Sequence, residues 1–270
     1  MDKNTETRLR NVMIEILDEF VRFCAENNLS YFLTGGTLLG AIRHKGFIPW
    51  DDDLDIAMPR NDYEKFIDMY NNLTETNYYI LSYKSKNKAA DHCKHITKVC
   101  KKGTVFAETY KAPDSYAGIF IDILPLDNCF LFFVPVQTAL VRITRKVYRM
   151  KIGSAIYRNI IQLFMSKLLG CFFSKESIDI IHRKLHVIFN KYKTKYVSFF
   201  SGRYHYKREI HRYDSIFPLT KVLFEGKYYC APNNYDLFLK TLYGNYMELP
   251  PLTEQRGIHE PLFIQFGDSK

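Results

Sequence analysis

Between Thr5 and Asn28 the apolar residues Leu9, Val12, Met13, Ile16, Leu17, Phe20 and Cys24 return at steps of three and four. That spacing gathers them on one face of a helix, and Asn27 and Asn28 supply its stop. Ser30–Thr34, with Tyr31, Phe32 and Leu33, reads as a short strand broken by Gly35-Gly36. Thr37–Arg43 then predicts a short helix, and Gly46 and Pro49 mark His44–Trp50 as a loop. Asp53–Met58 alternates acid with apolar and predicts a second strand. Arg60–Asn72 has helical spacing, Tyr78–Ser82 and His95–Val99 are weaker strands, and Gly118–Leu124 is an apolar strand with one acid inside it. Interleaved strands and helices of this kind imply an α/β or α+β core; the class expected is α+β, a small mixed sheet flanked by helices.

The texture changes after Leu126. From Phe130 to about Tyr213 the chain is basic, aromatic and helical in pattern, and from Phe217 it is loop-rich, with Pro218, Pro232, Pro250 and Pro251. The expected division is a core over 1–129, a basic helical insertion over 130–215, and a C-terminal segment over 216–270 that packs back on the core. With 38 Lys and Arg against 29 Asp and Glu the net charge is +9. The excess is local: 17 Lys or Arg lie between Arg142 and Arg212, against only Glu176, Asp179 and Glu209. A module this basic suits an acidic partner. It is either a solvated helical surface or a face that docks on an anionic membrane leaflet. Charge alone also permits a nucleic-acid-binding protein, but no motif of that class is present, and nucleic acid is not expected as a partner.

Cys129–Val141 is apolar but short and contains Pro135, and Ile156–Phe173 is interrupted by Arg158, Asn159, Gln162 and Lys167. Neither supplies the roughly 20 apolar residues of a spanning helix; the second reads as amphipathic. The six cysteines are scattered without a CxxC pair, and no secretory signal opens the chain, so they read as free thiols in a reducing compartment. His92, Cys93, His95 and Cys100 cluster locally, in a spacing that fits no zinc pattern.

The chemistry concentrates in Gly35-Gly36, in Asp51-Asp52-Asp53-Leu54-Asp55, and in Asp122. Two residues apart in a strand, Asp53 and Asp55 point to the same side, and two anions forced together call for a cation. Carboxylate oxygens suit Mg²⁺ or Mn²⁺. Asp122, inside Ile119-Phe120-Ile121-Asp122-Ile123-Leu124, needs a buried partner that the same site would provide. The glycine pair lets backbone N–H groups approach a phosphate, the next helix offers its N-terminus, and Thr37 can add a hydroxyl. Arg43, His44 and Lys45 lie within reach of a second phosphate. A calcium loop is disfavoured because its sixth position, Ile56, is not Gly and its twelfth, Asp62, is not Glu. The order of strand, glycine pair, helix, two-acid strand and distant third acid resembles the nucleotidyltransferase fold.

The run from Tyr31 through Gly35, Gly36, Arg43, Pro49-Trp50-Asp51-Asp52-Asp53-Leu54-Asp55 to Arg60, continued by Asn61-Asp62-Tyr63, resembles the signature of the LicD family. Gly118–Asp127 resembles its second block. Phe224-Glu225-Gly226, Ala231-Pro232-Asn233, Tyr243–Met247, Leu249–Pro251 and Arg256–His259 resemble its third. Asn245 departs from the Asp expected there, and 130–215 carries the least resemblance. The resemblance implies transfer of phosphocholine, or another phospho-alcohol such as ribitol phosphate, from a CDP-linked donor to a cell-surface glycan such as teichoic acid, lipopolysaccharide or a capsule precursor, with CMP released. The Mg²⁺ ligands would be Asp53, Asp55 and Asp122, with Asp122 also a candidate to take the acceptor's proton. Gly35, Gly36, Thr37, Arg43, His44, Lys45, Arg256 and His259 are candidate donor contacts, and Trp50 can cover the site or stack on cytosine. The expected location is the cytoplasm, either free or peripheral on the inner face of the cytoplasmic membrane. The competing reading within this fold is a nucleotidyltransferase that moves NMP from an NTP.

Overall fold

The computed structural model describes residues 1–86, 88–93, 95–108, 111, 113–152, 164, 167–168, 170–257, 259 and 261–267. Two compact units are present, one made of 1–126 with 213–270 and the other of 127–212.

The first unit opens with α1, Lys3–Glu26, capped by the Asp2 carboxylate, which accepts from the N–H groups of Asn4 and Thr5 at 3.0 Å. Its three-and-four spacing buries Leu9, Met13, Ile16, Leu17, Phe20, Phe23 and Cys24. β1 is only Phe32–Leu33, followed by α2, Gly35–Arg43, β2, Asp55–Pro59, and α3, Arg60–Tyr70. α3 buries Tyr63, Phe66, Ile67 and Tyr70, and Phe66 meets Phe20 edge-on at 5.1 Å. β3 is Tyr78–Leu81, β4 Thr97–Lys101, β5 Val105–Ala107 and β6 Phe120–Cys129.

The main sheet is mixed, in the order β1-β2-β6-β4-β3. β2 and β6 run parallel while the other neighbours are antiparallel. This is the α+β arrangement that the pattern predicts. The segment beyond 212 is more regular than its prolines suggest. It forms α6, Tyr213–Ile216, a hairpin of β9, Thr220–Phe224, and β10, Lys227–Ala231, then α7, Tyr235–Tyr243, and β11, Phe263–Gln265. β11 pairs with β5 and so returns the tail to the N-terminal half of the same unit.

In the second unit, α4, Val134–Lys151, and α5, Lys175–Val187, pack together. Gln137 Nε2 donates to the Leu185 carbonyl at 2.7 Å, and Thr144 Oγ1 meets His182 Nδ1 at 2.8 Å. The helical reading of this stretch is incomplete. β7, Tyr196–Ser198, and β8, Ile210–Arg212, form a small antiparallel sheet with Asp127–Cys129 of β6. Three-residue strands leave too short an alternation to be seen. Most of the Ile156–Phe173 helix reading, and the side chains of His92 and Cys93, lie outside the described residues. Among the described residues no helix is long and apolar enough to cross a membrane.

Candidate active site

Strand register builds the site. In the parallel β2–β6 pair Asp55 lies opposite Asp122, and in the antiparallel β6–β4 pair Asp122 lies opposite Lys98. Opposed residues in neighbouring strands present their side chains to the same face, so Asp55, Asp122 and Lys98 form one row across the sheet. Lys98 Nζ donates to Asp122 Oδ1 at 2.9 Å and lies 3.2 Å over the Phe120 ring.

Asp53 reaches the row by a different route from the expected one. β2 begins at Asp55, so Asp53 belongs to the irregular segment leading into it, not to the strand. The two carboxylates still act on each other. Burial raises the Asp55 carboxyl well above the usual carboxylate range, and the charges of Asp53, Asp122 and Asp51 add to it. Burial likewise lifts Asp51 to about 8, with Asp53 beside it. Asp53 goes the other way: burial opposes its ionisation, but His259 holds it below its ordinary value.

His259 comes from the distant tail. Its Nδ1 lies 3.0 Å from Glu108 Oε1 and its Nε2 3.7 Å from Asp53 Oδ2, with the ring between Phe106 and Phe120. Burial disfavours its cation, yet Asp53 and Glu108 raise its pKa to about 10. Asp52 fixes the same tail by accepting from the His259 backbone N–H at 3.2 Å. Glu108 is fully buried and paired with Lys111. Burial opposes its charge, and His259, Lys98 and Lys111 hold it far below the usual range. Lys98, Glu108 and Lys111 were not among the residues singled out from sequence. Lys98 left only a faint trace, one of two lysines in the short strand Thr97–Lys101, and Glu108 left none.

The glycine pair belongs to the first turn of α2, not to a break before it. Gly35 has a left-handed φ of +54°, and a Cβ there would stand 2.6 Å from Asp55 Oδ2; one on Gly36 would stand 2.5 Å from Asp51 Oδ2. No side chain fits between this helix start and the acids. The Thr37 hydroxyl accepts from the Asp55 backbone N–H at 2.8 Å and ties α2 to β2. Arg43 donates to the carbonyls of Tyr246 at 2.8 Å and Glu248 at 3.2 Å, with its guanidinium 6.0 Å from the Trp50 ring centre. His44 lies edge-on to Trp50, and burial next to Arg43 lowers its pKa. Lys45 is exposed, with φ 61°. Arg256 is also exposed and borders a cleft of about 690 Å³ with Trp50, Asp51, Asp52 and Gly257.

Asp53, Asp55, Asp122 and His259 are thus brought together, with Gly35, Gly36 and Thr37 against them. Arg43 and His44 lie beside Trp50 and Arg256 borders the cleft, while Lys45 makes no contact with the acids. Among the described residues no three His, Cys, Asp or Glu side chains are grouped closely enough to hold a metal ion as they stand. The donor chemistry nevertheless fits a hard divalent cation: Lys98 answers Asp122 and His259 answers Asp53, but Asp55 and Asp51 are left buried among like charges.

Residues 28–128 match the LicD/FKTN/FKRP nucleotidyltransferase domain. Over 266 residues, 96% of this chain and 97% of the relative, the sequence is 30% identical to the lipopolysaccharide cholinephosphotransferase LicD of Haemophilus influenzae. An uncharacterised protein of Rickettsia typhi is 30% identical over 43% of this chain and 34% of its own, and one of Rickettsia prowazekii is 42% identical over 18% and 19%. The acidic site and its supporting sheet therefore belong to a member of the LicD family.

Proposed function

We propose that this chain is a magnesium-dependent phosphotransferase with a nucleotidyltransferase-like core. It moves a phospho-alcohol, phosphocholine foremost, from a CDP-linked donor to a glycan hydroxyl and releases CMP. The observation that carries this reading is the Asp55–Asp122 register with Asp53 beside it, at the left-handed glycine start of a helix. The name of the Haemophilus influenzae relative supports phosphocholine as the group moved and lipopolysaccharide as the kind of acceptor.

Asp53, Asp55 and Asp122 would hold Mg²⁺, or Mn²⁺ in its place. When bound, such a cation neutralises charge on the donor phosphates and on the departing CMP. The backbone of Gly35-Gly36 and the N-terminus of α2 seat a phosphate, which their lack of side chains permits. Arg43, fixed by two carbonyls, adds positive charge near Trp50, and the cleft bordered by Trp50 and Arg256 takes the rest of the donor. Lys98 orients Asp122 through its Oδ1, and Asp122 accepts the proton of the acceptor hydroxyl as that oxygen bonds to phosphorus and the bond to CMP breaks. The Glu108–His259 pair positions Asp53.

CMP release from CDP-choline, CDP-ribitol and CDP-glycerol, with Mg²⁺ and with chelator and a lipid-linked glycan extract as acceptor, tests this. Magnesium-dependent release from one donor is expected, and that donor names the group transferred. Pyrophosphate release from CTP or ATP, with all three CDP donors intact, would replace the reading by NMP transfer.

A further inference from the structure

α4 carries two apolar faces. One packs inside the second unit through Val134, Val141, Thr144 and Tyr148. The other faces outward: Val136, Leu140 and Ile143, 61%, 43% and 44% exposed, recur at four and three residues and form a continuous stripe. The turn leading into the helix extends it with Phe130-Leu131-Phe132-Phe133, all exposed, Phe132 at 87%. Along one flank of the stripe, at steps of four and three, stand Arg142, Lys146 and Arg149.

We infer that this face, the Phe130–Phe133 turn and the outer side of α4, docks on an anionic lipid bilayer. A large exposed apolar stripe marks an interaction site, and its flank identifies the partner. Apolar residues bordered by Lys and Arg form the pattern of a helix lying in the membrane interface, its apolar side among acyl chains and its cations at the headgroups. Val134, Val141 and Tyr148, buried on the other side of the helix, hold it against the rest of the second unit, so the outer face is fixed in place. A second copy of this chain is disfavoured as the occupant, because self-association would bring two cationic flanks together. Nucleic acid would engage the cations but leave Val136, Leu140 and Ile143 in water. The inference rests on this surface and not on the proposed activity, to which it adds a means of reaching a lipid-linked acceptor.

Flotation of the full chain with vesicles tests it without any activity readout. The chain is expected to float with vesicles containing phosphatidylglycerol at low ionic strength, and not with phosphatidylcholine alone. The variant Phe132→Ser, Val136→Ser, Leu140→Ser, Ile143→Ser should lose roughly tenfold or more of its partitioning. Arg142→Gln, Lys146→Gln, Arg149→Gln should lose the preference for anionic lipid. Phe132→Trp keeps a large aromatic; its fluorescence should be quenched by brominated lipid beyond that of the parent chain, whose single Trp is Trp50. A parent chain that stays down with both vesicles, a serine variant that floats like the parent, or a parent dimer that the serine variant turns into monomer would each overturn the proposal.

Discussion

Replacing Asp55 by Asn should separate stability from activity. The Asp55 carboxyl is buried, and Asp53, Asp122 and Asp51 all oppose its ionisation. An acid whose pKa is raised by folding destabilises the fold at every pH above its unfolded value, near 3.9, by an amount that grows until its folded pKa is passed, so the penalty is present at neutral pH. Held neutral at pH 7, Asp55 carries the cost of keeping its proton well above its unfolded pKa, on the order of a few kcal/mol. Held ionised, it faces the repulsion of those like charges, on the order of a few kcal/mol for a close pair at the effective dielectric of a protein site. Asn has nearly the same shape and its amide can donate to the neighbouring carboxylates. In chelator the variant should therefore unfold later than the parent, by about 2–4 kcal/mol, and the melting temperature should rise by several degrees. Transfer should fall by at least about 100-fold, the usual loss on removing a fixed transition-state stabiliser. Added Mg²⁺ should raise the parent's Tm by mass action and leave the variant nearly flat. Thermal melts with chelator and with Mg²⁺, alongside CMP release, read all three. A variant less stable than the parent in chelator would refute the crowded-carboxylate argument, and normal turnover would refute the assignment of Asp55 to the reaction.

Gly35→Ala places a Cβ 2.6 Å from Asp55 Oδ2 on a residue with φ +54°; a destabilisation of about 1–3 kcal/mol by urea unfolding is expected, with loss of CMP release, and an alanine variant as active as the parent would show that the helix start has no such constraint. Burial holds His211 neutral down to about pH 3, whereas an unfolded His protonates near 6.5. The unfolded chain thus binds the extra proton first, and stability present above 6.5 should drain away as pH falls toward 3, by about 1.4 kcal/mol per unit. His211→Gln should reduce the difference in urea midpoint between about pH 7 and about pH 4; an unchanged difference would assign the acid sensitivity elsewhere.

Much of the first unit can be read along the chain because its rules are local. The spacing of Leu9, Met13, Ile16, Leu17, Phe20 and Cys24 places α1 before any partner is known. β2 and β6 are visible as alternating or apolar runs. β7 and β8 are not, because three residues in a basic, aromatic stretch show no period, and only pairing with Asp127–Cys129 makes them strands. The tail reads as loop because its prolines obscure the hairpin turn at Glu225-Gly226, whose positive φ values of 46° and 78° turn β9 into β10.

For the site, the sequence by itself determined which groups are crowded: an acid run, a lone acid in an apolar strand, and glycines with no side chain to obstruct them. The resemblance to LicD carried by those residues holds across 96% of the chain. Only the tertiary structure decided what answers that charge. Register across three strands puts Lys98 on Asp122, and a tail residue more than 200 positions from Asp52 is fixed by that carboxylate. His259 joins Glu108, buried without any local signature, to Asp53 across the site. Charge compensation in a buried site depends on distances of a few ångströms through space, and periodicity along a chain carries no information about them.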